Sequence, residues 1–299
     1  MDDFFLRQTP YSDPGGLDVS GLPRDPGGLT FLVRGLMLHR LEVERVGCAV
    51  PGRWVREDAE ARYVTEMLRI LRERQDGPLT GPRPYERRFV GTCRDFALLL
   101  CSLLRATGTP ARVRGGYATY FVDGFHDDHW VTEYRLPDGT WRLADAQVSA
   151  GPYDVPFDPL DVPRDRFLVA GRAWRACRAG EADPGTFGVW ADPRLRGGWL
   201  VLNSVVLDLA ARGGTEPLPW DGWGLSPVGR HAALLEEPGG PAGVLGADDL
   251  ALVDAAAAAR TDEEVRRLSS DPRLAVPREI LSLAPFHGLR KVTLAPSPA

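Results

Sequence analysis

Apolar residues recur three and four apart over residues 30–44, where Leu29, Leu32, Val33, Leu36, Met37 and Leu41 predict a helix. A second helix is predicted over 58–75. Ala59, Val64, Met67, Leu68 and Leu71 lie on one side, Arg69, Arg72 and Arg74 lie elsewhere, and Asp76-Gly77-Pro78 ends it. Over 93–107, Phe96, Ala97, Leu99, Leu100, Leu103 and Leu104 make more than one face apolar, so this helix is expected to be central and buried. Gly108 and Pro110 stop it. The period then changes to two. Val113, Tyr117, Thr119 and Phe121 alternate against Arg112, Arg114 and Tyr120 in a strand over 111–122. A second strand is predicted over 129–136, Pro137-Asp138-Gly139 turns it, and 141–144 returns. One helix followed by an antiparallel meander predicts an α+β core.

The flanks are less regular. Residues 1–28 hold Asp13-Pro14-Gly15-Gly16 and Asp25-Pro26-Gly27-Gly28 and read as an irregular arm. Residues 79–90 read as a loop leading into Cys93, with Arg83, Tyr85, Arg87 and Arg88 as possible lining. Beyond Gln147, prolines punctuate 150–166. Further helices are predicted over 167–179, 199–212, 248–260 and 262–269. The last opens on the capping-box pattern Thr261 to Glu264. Trp220 and Trp223 fall in a Gly/Pro loop, and the final dozen residues read as a tail. The expected organisation is an arm over 1–28, a core over 29–166 and a helical extension over 167–299.

Composition narrows the function classes. Hydrophobic residues at 43% and charged residues at 26% suit a soluble globular chain. A net charge of -5 gives no polybasic surface for nucleic acid or membrane. Lys291 is the single lysine and Asn203 the single asparagine, a compositional bias that keeps the arginines from reading as a binding patch. Four cysteines without a CxxC pair predict reduced thiols. No apolar leader and no long apolar run is seen, so a cytoplasmic protein is expected.

Three residues then carry candidate chemistry. Cys93 sits where Gly91-Thr92 turns into the buried helix, His129 opens a strand, and Asp145 closes the next. A thiol needs a base to activate it and the base needs an orienting group. A helix start favours thiolate, and its backbone amide suits an oxyanion. The plainer reading makes Cys93 a core cysteine and His129 a satisfied strand histidine; the order and context of all three favour the site. A metal reading gathers His126, Asp127, Asp128 and His129, but neighbours on a strand point to opposite faces and no HExxH is present. Neither a metal nor a cofactor is therefore expected.

The stretch resembles the transglutaminase-like superfamily. Gly91-Thr92-Cys93-Arg94-Asp95-Phe96-Ala97 is similar to its Cys before an apolar helix. His129-Trp130-Val131-Thr132-Glu133-Tyr134 is similar to its His strand, and Trp141-Arg142-Leu143-Ala144-Asp145 to its Asp strand. The family commonly follows that Asp with Pro, where this chain has Ala146-Gln147. The resemblance, clearest over 85–150, implies a papain-like, transglutaminase-like core with Cys on a central helix against an antiparallel sheet, flanked by extra helices, in a bacterial single-module member. It implies a Cys93–His129–Asp145 triad and a thioester acyl-enzyme resolved by water or an amine. Thr92, Tyr117, Tyr120 and Trp130 are the expected substrate neighbours. The expected partner is a small-molecule, peptide or acyl-thioester substrate. The alternative is a catalytically inactive binding module on the same fold.

Overall fold

The apolar run beginning at Leu29 divides into two elements. In the computed structural model, which describes residues 3–230 and 245–295, helix α1 spans Pro26–Leu36 and the chain becomes extended as strand β1, Met37–His39. Asp25 caps the helix, its carboxylate accepting from the Gly28 N–H at 2.7 Å, and Pro26 takes the first position, where no N–H is needed. The single helix expected over 30–44 is thus corrected. Met37, Leu38 and His39 are all buried, and a short run buried on both faces has no period that separates strand from helix.

The second expected helix is shorter too. Helix α2 covers Gly52–Glu57, a 3-10 turn covers Asp58–Glu60, and α3 covers Val64–Arg74 with Val64, Met67, Leu68 and Leu71 inward. Asp58 braces other elements instead of extending α3. Its Oδ1 accepts from Arg74 Nη2 at 2.6 Å and its Oδ2 from the Val90 N–H at 2.8 Å. The stretch read as a loop over 79–90 holds a 3-10 turn, Tyr85–Arg87, and strand β2, Phe89–Gly91. β2 runs parallel to β1, with His39 opposite Gly91.

Helix α4, Cys93–Ala106, has every residue but Ala106 buried. Strands β3, Ala111–Ala118, β4, His126–Arg135, and β5, Trp141–Ala144, follow it. Then come β6, Phe167–Val169, α5, Ala170–Arg178, β7, Phe187–Gly188, α6, Gly198–Arg212, β8, Asp221–Gly222, and α7, Pro227–Arg230. The described chain ends with α8, Ala247–Ala258, α9, Asp262–Ser269, β9, Glu279–Ala284, and β10, Gly288–Thr293. One sheet has the order β5-β4-β3-β6, with β7 paired to β4; β10-β9-β8 form another, and β1-β2 a third. The architecture is α+β, with the central helix and antiparallel meander the pattern predicts.

Three further expectations change. The helix expected from 167 begins at Ala170, because Phe167–Val169 pairs antiparallel with Ala118 to Gly116 of β3. The stretch 167–299 carries strands as well as helices, and the expected tail contains β10, whose pairing to β9 is complete from Gly288 to Thr293. Every residue of β10 but Val292 is exposed, so no alternation marked it. Residues 296–299 of that tail lie outside the described residues.

The described residues pack as two compact units, 3–113 with 130–163, and 114–129 with 164–230 and 245–295. In the first, α1 and α3 pack on α4. The Thr132 hydroxyl donates to the Ala97 carbonyl at 2.8 Å, which seats β4 on that helix. In the second, α5 packs on α6 and α8. Arg114 clasps Asp208 of α6 with Nε and Nη2, both at 2.9 Å, and the Gly115 N–H adds a third bond to the carboxylate at 3.0 Å. A two-pronged, largely buried pair of this kind fixes direction as well as distance.

Candidate active site

Cys93 is the first residue of α4 and is buried. The turn before it is held from three sides. Thr92, the N-cap, donates its backbone N–H to Asp95 Oδ2 at 2.8 Å and its hydroxyl to the same oxygen at 3.1 Å. Arg94 donates to Asp95 Oδ1 at 3.1 Å, to the Ala61 carbonyl at 3.3 Å and to the Arg62 carbonyl at 2.8 Å. Burial pushes the Asp95 carboxyl up, and the Arg94 charge and the Thr92 bonds pull it back. Gly91 lets the strand pass this cluster, since a Cβ there would lie 2.7 Å from Asp95 Oδ2. Helix start, acidic third residue and glycine are one local device that presents the Cys93 thiol at the positive end of a rigid helix.

Asp145 follows β5 and is buried. Its N–H donates to the Pro159 carbonyl at 2.8 Å, and its Oδ1 accepts from the Gln147 N–H at 2.9 Å. Ala146 stands where the resembling family has Pro, and the bond to Asp145 comes from the residue after it. The Gln147 side chain donates to Tyr153 Oη at 2.9 Å. Around Tyr153 stand Glu42 and Arg34. Arg34 donates to Glu42 Oε2 at 2.8 Å and to the Ala150 carbonyl at 2.9 Å. Burial, then the Glu42 charge, push the Tyr153 hydroxyl well up. This network anchors the segment after Asp145 to α1 and to the turn after β1.

His129 belongs to the second unit and is buried on β4. Phe121 lies 4.9 Å, Tyr120 5.9 Å and Phe167 6.2 Å from its ring, all edge-on. Tyr120 is therefore a ring neighbour of the imidazole. Tyr117 is fully buried, its hydroxyl shared with Ser204 at 2.9 Å and its ring edge-on to Phe187. Trp130 is buried on β4, and Thr92 is the helix cap. His126 stacks on Phe187 at 4.0 Å and meets the Thr186 hydroxyl at 3.3 Å, and burial lowers its pKa. Asp127 accepts from the Trp190 N–H at 2.9 Å. Burial raises Asp128 to about 7, aided by the Asp127 charge. Among the described residues, no group of three or more His, Cys, Asp or Glu is placed to hold a metal ion. No described helix is long and apolar enough to cross a membrane.

Sequence reasoning did not find Arg40, Arg34 or Glu42. Arg40 follows β1, and its N–H donates to the Gly91 carbonyl at 2.8 Å, next to the Cys93 turn. The signal that would have found it is the parallel pairing of β1 with β2, which no local period reveals.

No curated protein matches the chain. Among solved structures, a candidate cysteine protease from Cytophaga hutchinsonii is similar at 20% identity with a TM-score of 0.23, over 55% of this chain. This chain spans 44% of that protein's length. The family model of the transglutaminase-like superfamily matches residues 53–146, from within α2 to the residue after Asp145.

Proposed function

We propose that this protein is a cysteine enzyme that transfers or hydrolyses acyl groups through a thioester on Cys93. One observation carries the reading: a thiol at the first residue of a buried, rigidly capped helix, inside the stretch that matches the superfamily. His129 is the proposed base and Asp145 the group that orients it; both lie within the same match. The proposed catalytic core is residues 29–166.

The chemistry follows from these roles. His129 takes the Cys93 proton, and the thiolate attacks the carbonyl of an amide, peptide or thioester. The oxyanion that forms sits at a helix start, where the Cys93 N–H is a donor. Collapse expels the amine or thiol, which takes the proton back from His129. Water or an amine then attacks the thioester carbonyl, loses its proton to His129, and releases Cys93. The aromatic rings around His129 keep bulk water from the imidazole. The same reading takes the cytoplasm as its setting, where a reducing pool would keep a nucleophilic thiol reduced.

The test is direct acyl trapping. Wild type and Cys93→Ala are incubated with an activated acetyl ester and with an acetyl thioester, and the peptides are read by mass spectrometry. The expected result is acetylation of Cys93, discharged by hydroxylamine and strongly reduced in His129→Ala. No adduct on Cys93, with iodoacetamide alkylating it no faster than Cys48, would favour the inactive binding module.

A further inference from the structure

The residue after β1 is a cation beside the Cys93 turn. β1 lies parallel to β2 with His39 opposite Gly91, and the Arg40 N–H donates to the Gly91 carbonyl at 2.8 Å. Arg40 therefore leaves the sheet alongside Gly91-Thr92-Cys93. Its side chain is half-buried, so its charge is only partly screened by water.

We infer that Arg40 is a positioning residue that stabilises the Cys93 thiolate by its charge, a second source of positive potential besides the helix start. The groups facing this turn support the assignment. Burial disfavours the Arg40 charge, and Cys93, Asp95 and Glu60 act electrostatically to retain it. Asp95 accepts from Thr92 and Arg94, which fixes its carboxylate in the helix turn. Glu60 stands on the 3-10 turn before α3. Arg94 donates to Asp95 and to the carbonyls of Ala61 and Arg62. His39 lies opposite Gly91 on β1, and His129 keeps the role proposed above. Arg40 is thus the cation from the β1–β2 side whose charge acts on Cys93.

The inference rests on the proposed function, and the experiment separates the two. Cys93 alkylation by iodoacetamide is followed by peptide mass spectrometry across pH in the full chain, for wild type, Arg40→Gln, Arg40→Lys and Arg40→Met, with Cys48 as internal reference. Circular dichroism checks each fold, and Arg40→Met keeps the apolar stem where the amide is not tolerated. A nearby opposite charge moves a titrating group by about 1–3 units. A half-buried guanidinium belongs at the low end. The midpoint for Cys93 is expected to rise by about one unit in Arg40→Gln and Arg40→Met, slowing alkylation about tenfold at neutral pH, and Arg40→Lys is expected to restore most of it. A lowered wild-type midpoint that neither neutral variant moves overturns the role of Arg40 and leaves the proposed function standing. A wild-type midpoint at the ordinary thiol value, about 8.5, overturns both.

Discussion

Arg94 and Asp95 form an ion pair at 3.1 Å with neither side chain exposed to any solvent, in the first turn of the helix that Cys93 opens. Such a pair is a poor source of net stability, because two charges leave water to make it. Its value is geometric: it ties the helix start to the Ala61 and Arg62 carbonyls. Removing one partner strands the other. Asp95→Ala is expected to cost about 3–5 kcal/mol in urea unfolding. Replacing both residues by apolar ones of similar volume is expected to recover part of that loss. A cost under about 1 kcal/mol for the single change would show that water reaches the pair.

Gly91 tests the same turn sterically. An added Cβ would meet Asp95 Oδ2 at 2.7 Å and Phe89 Cε1 at 2.8 Å. Neither can yield, since Asp95 is locked by Thr92 and Arg94 and Phe89 is fully buried. Gly91→Ala is expected to lower stability by about 1–3 kcal/mol, the usual cost of overpacking. Gly35 is the contrast. It lies in α1 with nothing within 4 Å of its added Cβ. Gly35→Ala is expected to raise stability by about 0.5–1 kcal/mol through helix propensity. Thermal melts of the two variants side by side decide it.

These two glycines also show where sequence was sufficient. α4 was legible because its apolar positions run unbroken from a Thr cap to a Gly-Thr-Pro stop. β5 and α9 were legible because a strand between turns and a capping box are local signals. β1 was not, since three buried residues continue the apolar period of α1. β10 was not, since its solvent-facing residues make a strand only by bonding to β9. The candidate triad could be read as residue types in order. Arg40 and the Arg34–Glu42 pair could not, because they reach the turns around Cys93 and Asp145 through tertiary packing alone.

The network behind Asp145 separates stability from chemistry. The Asp145 carboxylate is held by the backbone N–H of Gln147, whereas the Gln147 side chain is held by Tyr153. Tyr153→Phe removes the second bond, together with the hydroxyl's bond to Glu42, and leaves the first. It is expected to cost about 1–2 kcal/mol, the price of an unpaired buried amide, and to leave Cys93 alkylation within about twofold of wild type. A large fall in alkylation would mean that the side-chain network, and not the backbone bond, sets the Asp145 carboxylate.

Asp128 gives stability a pH dependence of definite sign. Burial first, and the Asp127 charge second, raise its carboxyl from 3.8 to about 7, against the opposing pull of His129. A carboxyl raised in the folded state binds its proton more tightly there than in the unfolded chain. Its contribution is therefore complete below the unfolded value and is lost as pH climbs towards 7. Between pH 5 and pH 8 the loss is on the order of 1–2 kcal/mol, once discounted for partial exposure. Asp127, also raised by burial, acts in the same direction. Asp128→Asn keeps the shape and removes the titration. Wild type is expected to lose urea resistance from pH 5 to pH 8, and the variant to lose less, so that it is the more stable protein at pH 8. Parallel curves for the two proteins would mean that Asp128 is ionised in the fold at neutral pH. The His129 imidazole would then follow an ionised carboxylate directly on β4.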